Sequence, residues 1–136
     1  MRISIIPDRY LPHILALLRI ATALMFMQHG TAKLFGVPHV AMFDGLKLFS
    51  VLGVGGVLEL VGGLLMLVGL FTRPVAFVLS GEMAVAYFGF HAAGSFWPMV
   101  NKGELAALYS FVFLFFSVAG PGSFALDRDD NLLRRI

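Results

Sequence analysis

Four apolar stretches, each close to the length that crosses a bilayer, fill most of this 136-residue chain. They run from about Leu11 to Phe35, Val51 to Leu70, Pro74 to Phe90 and Glu104 to Ala119, each near the ~20 residues that a helix needs to span the hydrocarbon core. Backbone in lipid must satisfy its own hydrogen bonds, and segments of this length do so as helices. Pro74 suits a helix start, and Gly120-Pro121-Gly122 a helix stop. The expected fold is all-α: an integral membrane four-helix bundle, one transmembrane domain over residues 1–136. A cleaved signal peptide is the competing reading of the first stretch, but the apolar run is too long and three similar spans follow.

Composition agrees with the lipid environment. The chain is 59% hydrophobic and only 13% charged, with a mean hydropathy of +0.88, values that suit a membrane protein better than a soluble domain. It has no cysteine, which excludes a disulfide framework, a thiol nucleophile and a thiolate metal site; redox chemistry would need a bound cofactor. The formal charge of +2 comes from few charges, so basic ends facing anionic lipid are expected and nucleic acid is not a partner. Arg2, Arg9, Arg73, Arg128, Arg134 and Arg135 fall on one side of the spans, and Lys33, Lys47 and Lys102 on the other. That bias places both termini in the cytoplasm.

The connections differ in kind. Phe71-Thr72-Arg73 is so tight that the second and third helices must be antiparallel neighbours. VPHVAMFDGLKLFS, from Val37 to Ser50, is long enough for a short amphipathic helix over about 40–49, lying in the outer interface. Phe96 and Trp97 suit the headgroup belt. The tail ALDRDDNLLRRI reads as a short, solvated, charged end.

Against this background the polar residues stand out. Stepping about 100° per residue, Arg19, Thr22, Phe26, Gly30 and Lys33 share one face of the first helix, with His29 on its flank and Gln28 turned away. Glu59 shares a face of the second helix with Gly55, Gly56, Gly62, Gly63 and Met66, and small residues of this kind let helices approach closely in lipid. In the third helix Glu82 lies with Ala86 and Gly89, while Tyr87 and His91 stand one turn apart on the other side. Asn101, Lys102 and Glu104 open the fourth.

Arg19 and Glu82 each lie about 12 Å from the cytoplasmic ends of their helices, so they are expected to pair. Glu59 sits centrally, and His29, Lys33, His91, Asn101 and Glu104 gather toward the outer end. Bland roles stand beside these. An Arg19–Glu82 pair could simply fix helix register, Lys33 could snorkel to the interface, and Glu104 could be a first-turn acid on a helix dipole. The histidines could be ordinary interfacial residues. Glu59 has no cation within a turn of its own segment, which favours a functional role. His29, Glu59, Glu82 and His91 show no recognised metal-ligand spacing, so no metal is expected.

The ordered motifs LLRIATALMFMQHGTAKLFG, LELVGGLLMLVGLFTRPVA, SGEMAVAYFGFH and NKGELAALYSFVFLFFSVAGPGSFALD resemble the DoxX family of small four-helix bacterial and archaeal membrane proteins. The family takes its name from a subunit of a terminal quinol oxidase, also described as a thiosulfate:quinone oxidoreductase, and relatives occur beside redox or oxidative-stress enzymes. The resemblance thus implies a cytoplasmic-membrane location, with the family's polar pattern falling on Arg19, Gly30, Lys33, Glu59, Gly62, Glu82, His91, Asn101 and Glu104.

The leading expectation is a membrane subunit or accessory of a redox system, binding a quinone-like or other small lipophile. Lys33, His29 and His91 would donate to its carbonyls, with Glu59 and Glu104 as proton-exchanging carboxylates. The wider set of candidates is Arg19, His29, Lys33, Glu59, Glu82, Tyr87, His91, Asn101 and Glu104. Alternatives are proton or small-anion permeation through a homo-oligomer, and a non-catalytic assembly subunit that docks a redox-enzyme partner.

Overall fold

The helices form where apolar runs end on residues that can turn the chain. The computed structural model describes residues 5–128. Its long elements are α1 (Leu11–Phe35), α2 (Val51–Val68), α3 (Thr72–Phe90) and α5 (Glu104–Ala119), with a single turn α4 (Pro98–Asn101) between the last two and no strand among the described residues. Arg2, Arg134 and Arg135, three of the arginines in the orientation argument, lie outside the described residues, as does most of the charged tail.

Local chemistry sets the boundaries. Gly36 ends α1 at a φ of 67°, with its amide donating to the Ala32 carbonyl. The Ser50 hydroxyl accepts from the Gly53 amide at 3.1 Å and so caps α2. α2 stops at Val68, two residues before the expected Leu70, because Gly69 turns left-handed at a φ of 66°. α3 begins at Thr72, before Pro74, because its first free amides find an acceptor at the other end of the chain. Asp127 Oδ1 accepts from the Phe71 amide at 2.8 Å, and Oδ2 from the Thr72 amide at 2.7 Å. Partial burial pushes the Asp127 carboxyl up, but the hydrogen bonds from Thr72 and Phe71, with the Arg19 charge, outweigh it and hold it below the usual carboxylate range.

α1 packs on α2, α2 on α3 and α3 on α5. Between them lies an apolar core that includes Ala23, Phe26, Met66, Leu79, Phe113 and Phe116. The Phe26 ring meets Phe113 edge-on, with centroids 4.8 Å apart. At Gly30 the α1–α2 contact is backbone on backbone: a Cβ there would stand 2.7 Å from the Leu60 nitrogen and 2.8 Å from the Gly56 oxygen. α1 and α2 are long and apolar enough to cross a membrane, and α5 is a shorter apolar helix. Leu17, Val61, Phe77, Phe111 and Val118 turn outward, each more than half exposed, a surface suited to lipid rather than water.

Two connections depart from expectation. The stretch 40–49 is not a helix along its length; only Ala41–Phe43 forms a 3-10 turn, and Gly45 at a φ of 71° breaks the helical path. The stretch 92–102, where the sequence predicts only an aromatic headgroup belt, contains the single turn α4, opened by Pro98.

Residues 120–128 form a strap across the end of the molecule that carries Pro12 and Gly69. The Ser123 amide donates to the Pro12 carbonyl, Leu126 to Val68, and Asp127 to Gly69. The Arg19 guanidinium, fully buried, lies under this strap. It donates to the Pro121 carbonyl, to Ser123 at 3.2 Å and to Phe124 at 2.7 Å.

Candidate functional site

The polar stripe of α1 and the lone acid of α2 converge on one ion pair. Lys33 Nζ donates to Glu59 Oε1 at 2.7 Å, and the two side chains are 11% and 4% exposed. The cation absent from Glu59's own segment is supplied by the last turn of α1, on a helix held close by the Gly30 contact. Lys33 therefore turns inward and does not snorkel. Its ammonium also lies 5.6 Å from the centre of the Phe43 ring, within cation–π range. Glu59 Oε2 is buried and has no hydrogen-bond partner.

Above the pair lies a cavity of about 490 Å³, bounded by α1, α2, α3, α5 and the 3-10 turn. Phe26, Leu52, Met83, Ala86, Phe90, Leu105 and Ala106 give it apolar walls. Lys33 and Glu59 mark its buried end, with the half-buried Phe43 ring beside Lys33, while Val40, Met42 and Lys102 stand toward the exposed end. His29, His91 and Tyr109 supply further polar edges. Its size falls in the range of small-molecule sites, which typically combine apolar walls with few polar groups.

The expected Arg19–Glu82 pair does not form. Arg19 is two turns into α1, and helical side chains lean toward the N-terminus, which carries its guanidinium back to the strap carbonyls. Glu82 instead stands on the opposite side of the apolar core, near the Lys33–Glu59 pair. A Cβ at Gly55 would lie 3.4 Å from Glu82 Oε1 and 3.9 Å from Lys33 Nζ. Like Glu59 Oε2, Glu82 Oε2 is buried without a hydrogen-bond partner. One ammonium thus faces two carboxyl groups.

The outer candidates divide between cavity and loop. The His91 ring lines the cavity, and its Nδ1 lies 3.1 Å from the Asn101 carbonyl. Asn101 is committed to the α3–α4 connection: its Nδ2 donates to Tyr87 Oη at 3.2 Å and to the Ser95 carbonyl at 2.9 Å, and its Oδ1 accepts from the Gly103 amide. Tyr87 belongs to that network and not to the cavity wall. Glu104 is exposed in the first turn of α5, away from the lining. Among the described residues, no group of three or more acidic and histidine side chains is placed to hold a metal ion.

Three lining residues, Tyr109, Phe43 and Lys102, fall outside the set of site residues expected from the sequence. Tyr109 is 5% exposed; its ring stacks on Phe113 and meets Phe26 edge-on, with His29 edge-on at 6.2 Å. Its signal was present, since it is one of few polar residues in an otherwise apolar helix. Phe43 and Lys102 sit in connections whose path no periodicity reveals.

The comparisons with known proteins converge on one family. The DoxX family model matches residues 14–92. The chain is 50% identical over 125 residues to an uncharacterized protein of Haemophilus influenzae, covering 88% of this chain and 92% of that one. It is 28% identical over 136 residues to the inner membrane protein YphA of Escherichia coli, covering 86% and 90% of the two chains. An uncharacterized membrane protein of Mycobacterium tuberculosis is 29% identical over 136 residues, with 82% and 77% covered. No solved structure matches.

Proposed function

The chain belongs to the DoxX family of membrane proteins, and from that premise we propose that it binds a quinone-like or other small lipophile, as a membrane subunit or accessory of a redox system. In this reading α1, α2, α3 and α5 form a four-helix bundle spanning the bacterial cytoplasmic membrane, with both termini cytoplasmic. The inner-membrane name of the Escherichia coli relative supports the location, and the outward apolar side chains support the lipid contact.

The observation that carries the proposal is the cavity itself: about 490 Å³ of apolar-walled space ending on the buried Lys33–Glu59 pair. A lipophile's tail gains by leaving water or lipid disorder for fitted walls, and its head gains by meeting fixed polar groups. Proton or small-anion permeation is less well supported. A path from the pair toward Arg19 must cross the buried, apolar Ala23, Phe26, Met66, Leu79, Phe113 and Phe116.

Native mass spectrometry with lipid extraction, on protein gently purified from its own membrane, tests the proposal against Glu59→Gln. A bound lipophile that is lost in the variant is the expected result. Protein that emerges empty in both forms and binds neither added decylubiquinone nor its quinol overturns it. If that empty protein carries a stoichiometric partner, the assembly-subunit reading takes its place.

A further inference from the structure

Resting on the lipophile-pocket reading, we infer that the head group the cavity selects is a hydroxyl, which donates a hydrogen bond to Glu59 and accepts one from Lys33. The argument is an account of hydrogen-bonding capacity at the buried end. A lysine ammonium has three donors and no acceptor; an ionised carboxylate has acceptors only. The Lys33–Glu59 bond engages one ammonium proton and one carboxylate oxygen. Glu59 is 3% exposed and lines the cavity, yet its Oε2 has no hydrogen-bond partner. Lys33, also in the lining, has ammonium protons beyond the one given to Glu59.

Three head groups can be compared at this end. A carbonyl or ether oxygen satisfies Lys33 but has no proton for Glu59, leaving a buried charged acceptor unsatisfied, which is costly. An ammonium satisfies Glu59, and Glu82 beside it offers a second carboxyl group, but an ammonium has no acceptor for the spare Lys33 protons and sets a second cation beside the first. A hydroxyl satisfies both with one atom, because it donates one bond and accepts others. Binding in this way requires the Glu59 carboxyl to turn so that Oε2 meets the cavity, with the apolar wall of Met83, Ala86 and Leu105 left for the rest of the molecule.

The test uses the full chain in lipid nanodiscs and three matched probes: 4-heptylphenol, its methyl ether and 4-heptylbenzylamine. Binding of each is measured by equilibrium dialysis against protein-free nanodiscs, which removes partition into lipid. The phenol should bind at least about tenfold more tightly than the ether, the scale of one hydrogen bond to a charged group, and more tightly than the amine. In Glu59→Gln the preference for phenol over ether should collapse, because the amide can present a donor where the carboxylate presented an acceptor. Equal binding of phenol and ether overturns the head-group inference while leaving the pocket intact, and it would assign the second Glu59 oxygen to Glu82. Tighter binding of the amine also overturns it. Absence of binding by all three probes overturns the pocket reading beneath it. Should Glu59→Gln not yield monodisperse protein, the wild-type phenol-to-ether ratio decides the matter alone.

Discussion

Lys33 and Glu59 are 26 residues apart in the chain and 2.7 Å apart in space, joining the last turn of α1 to the middle of α2. Removing Lys33 leaves two buried carboxyl groups without their cation, whereas removing Glu59 leaves Lys33 the Glu82 carboxyl. Lys33→Met alone should therefore destabilise the protein by about 3–5 kcal/mol and Glu59→Leu by less, and the double replacement should cost less than the sum of the two. Unfolding in detergent, followed for the two single variants and the double one, gives the coupling directly. Additive losses would show that the pair is not the stabilising unit.

Arg19 makes a different demand. Its guanidinium holds three carbonyls of the strap through a planar fork, a geometry that a lysine's single ammonium does not reproduce. Arg19→Lys should loosen residues 120–127, and Arg19→Met should do so further, leaving buried carbonyls without a donor. Limited proteolysis under native conditions checks this, with new cleavage expected in the strap before the helices are attacked. Protection equal to wild type in Arg19→Met would mean that the backbone bonds of Ser123, Leu126 and Asp127 hold the strap alone.

At the same end, Asp127 caps α3 from across the chain. Its carboxyl is held below the usual range, so its contribution is complete above an unfolded-state value of about 3.9 and is lost as the pH falls through the folded-state value. Asp127→Ala should cost about 0.5–2 kcal/mol at neutral pH, as loss of a helix cap does. Asp127→Asn should keep part of the cap and remove this residue's acid dependence. Thermal unfolding in detergent from about pH 6 to pH 3 separates the three forms; a wild-type midpoint falling no faster than that of Asp127→Asn would count against the assignment.

Glycines offer a paired comparison. A methyl group at Gly30 meets the α2 backbone at Leu60 and Gly56, which cannot rotate away, whereas one at Gly81 meets nothing within 4 Å. Gly30→Ala should cost about 1–3 kcal/mol through separation of α1 from α2, and Gly81→Ala should be neutral or stabilising by up to about 1 kcal/mol. Equal midpoints for the two variants would show that the helices can part at little cost.

How much of this was legible beforehand follows from what periodicity encodes. The stripe of Arg19, Thr22, Phe26 and Gly30 is the buried face of α1, and Glu59 with its glycines is the buried face of α2, because a helical repeat fixes angular position. It fixes neither partner nor axial reach. Arg19 and Glu82 are level only as points on their helix axes; their side-chain directions separate them by the aromatic core. The strap, Asp127 and Phe43 lie in irregular backbone, where long-range hydrogen bonds set the path and leave no periodic trace.

The cavity permits a last prediction that separates binding from stability. Ala106 lies on α5 along the cavity wall and is partly buried, and neither it nor its near neighbours carry the ion pair. Ala106→Phe would extend a ring into existing space, so burial of the added apolar surface should offset any local crowding and leave the unfolding midpoint within a few degrees of wild type. The same ring would occupy the volume that a lipophile's tail requires, and binding should fall by about tenfold or more. The two readouts are a thermal melt and dialysis of decylubiquinone against nanodiscs. A stable Ala106→Phe protein with undiminished binding would place the lipophile on the outer, lipid-facing surface instead of between the helices.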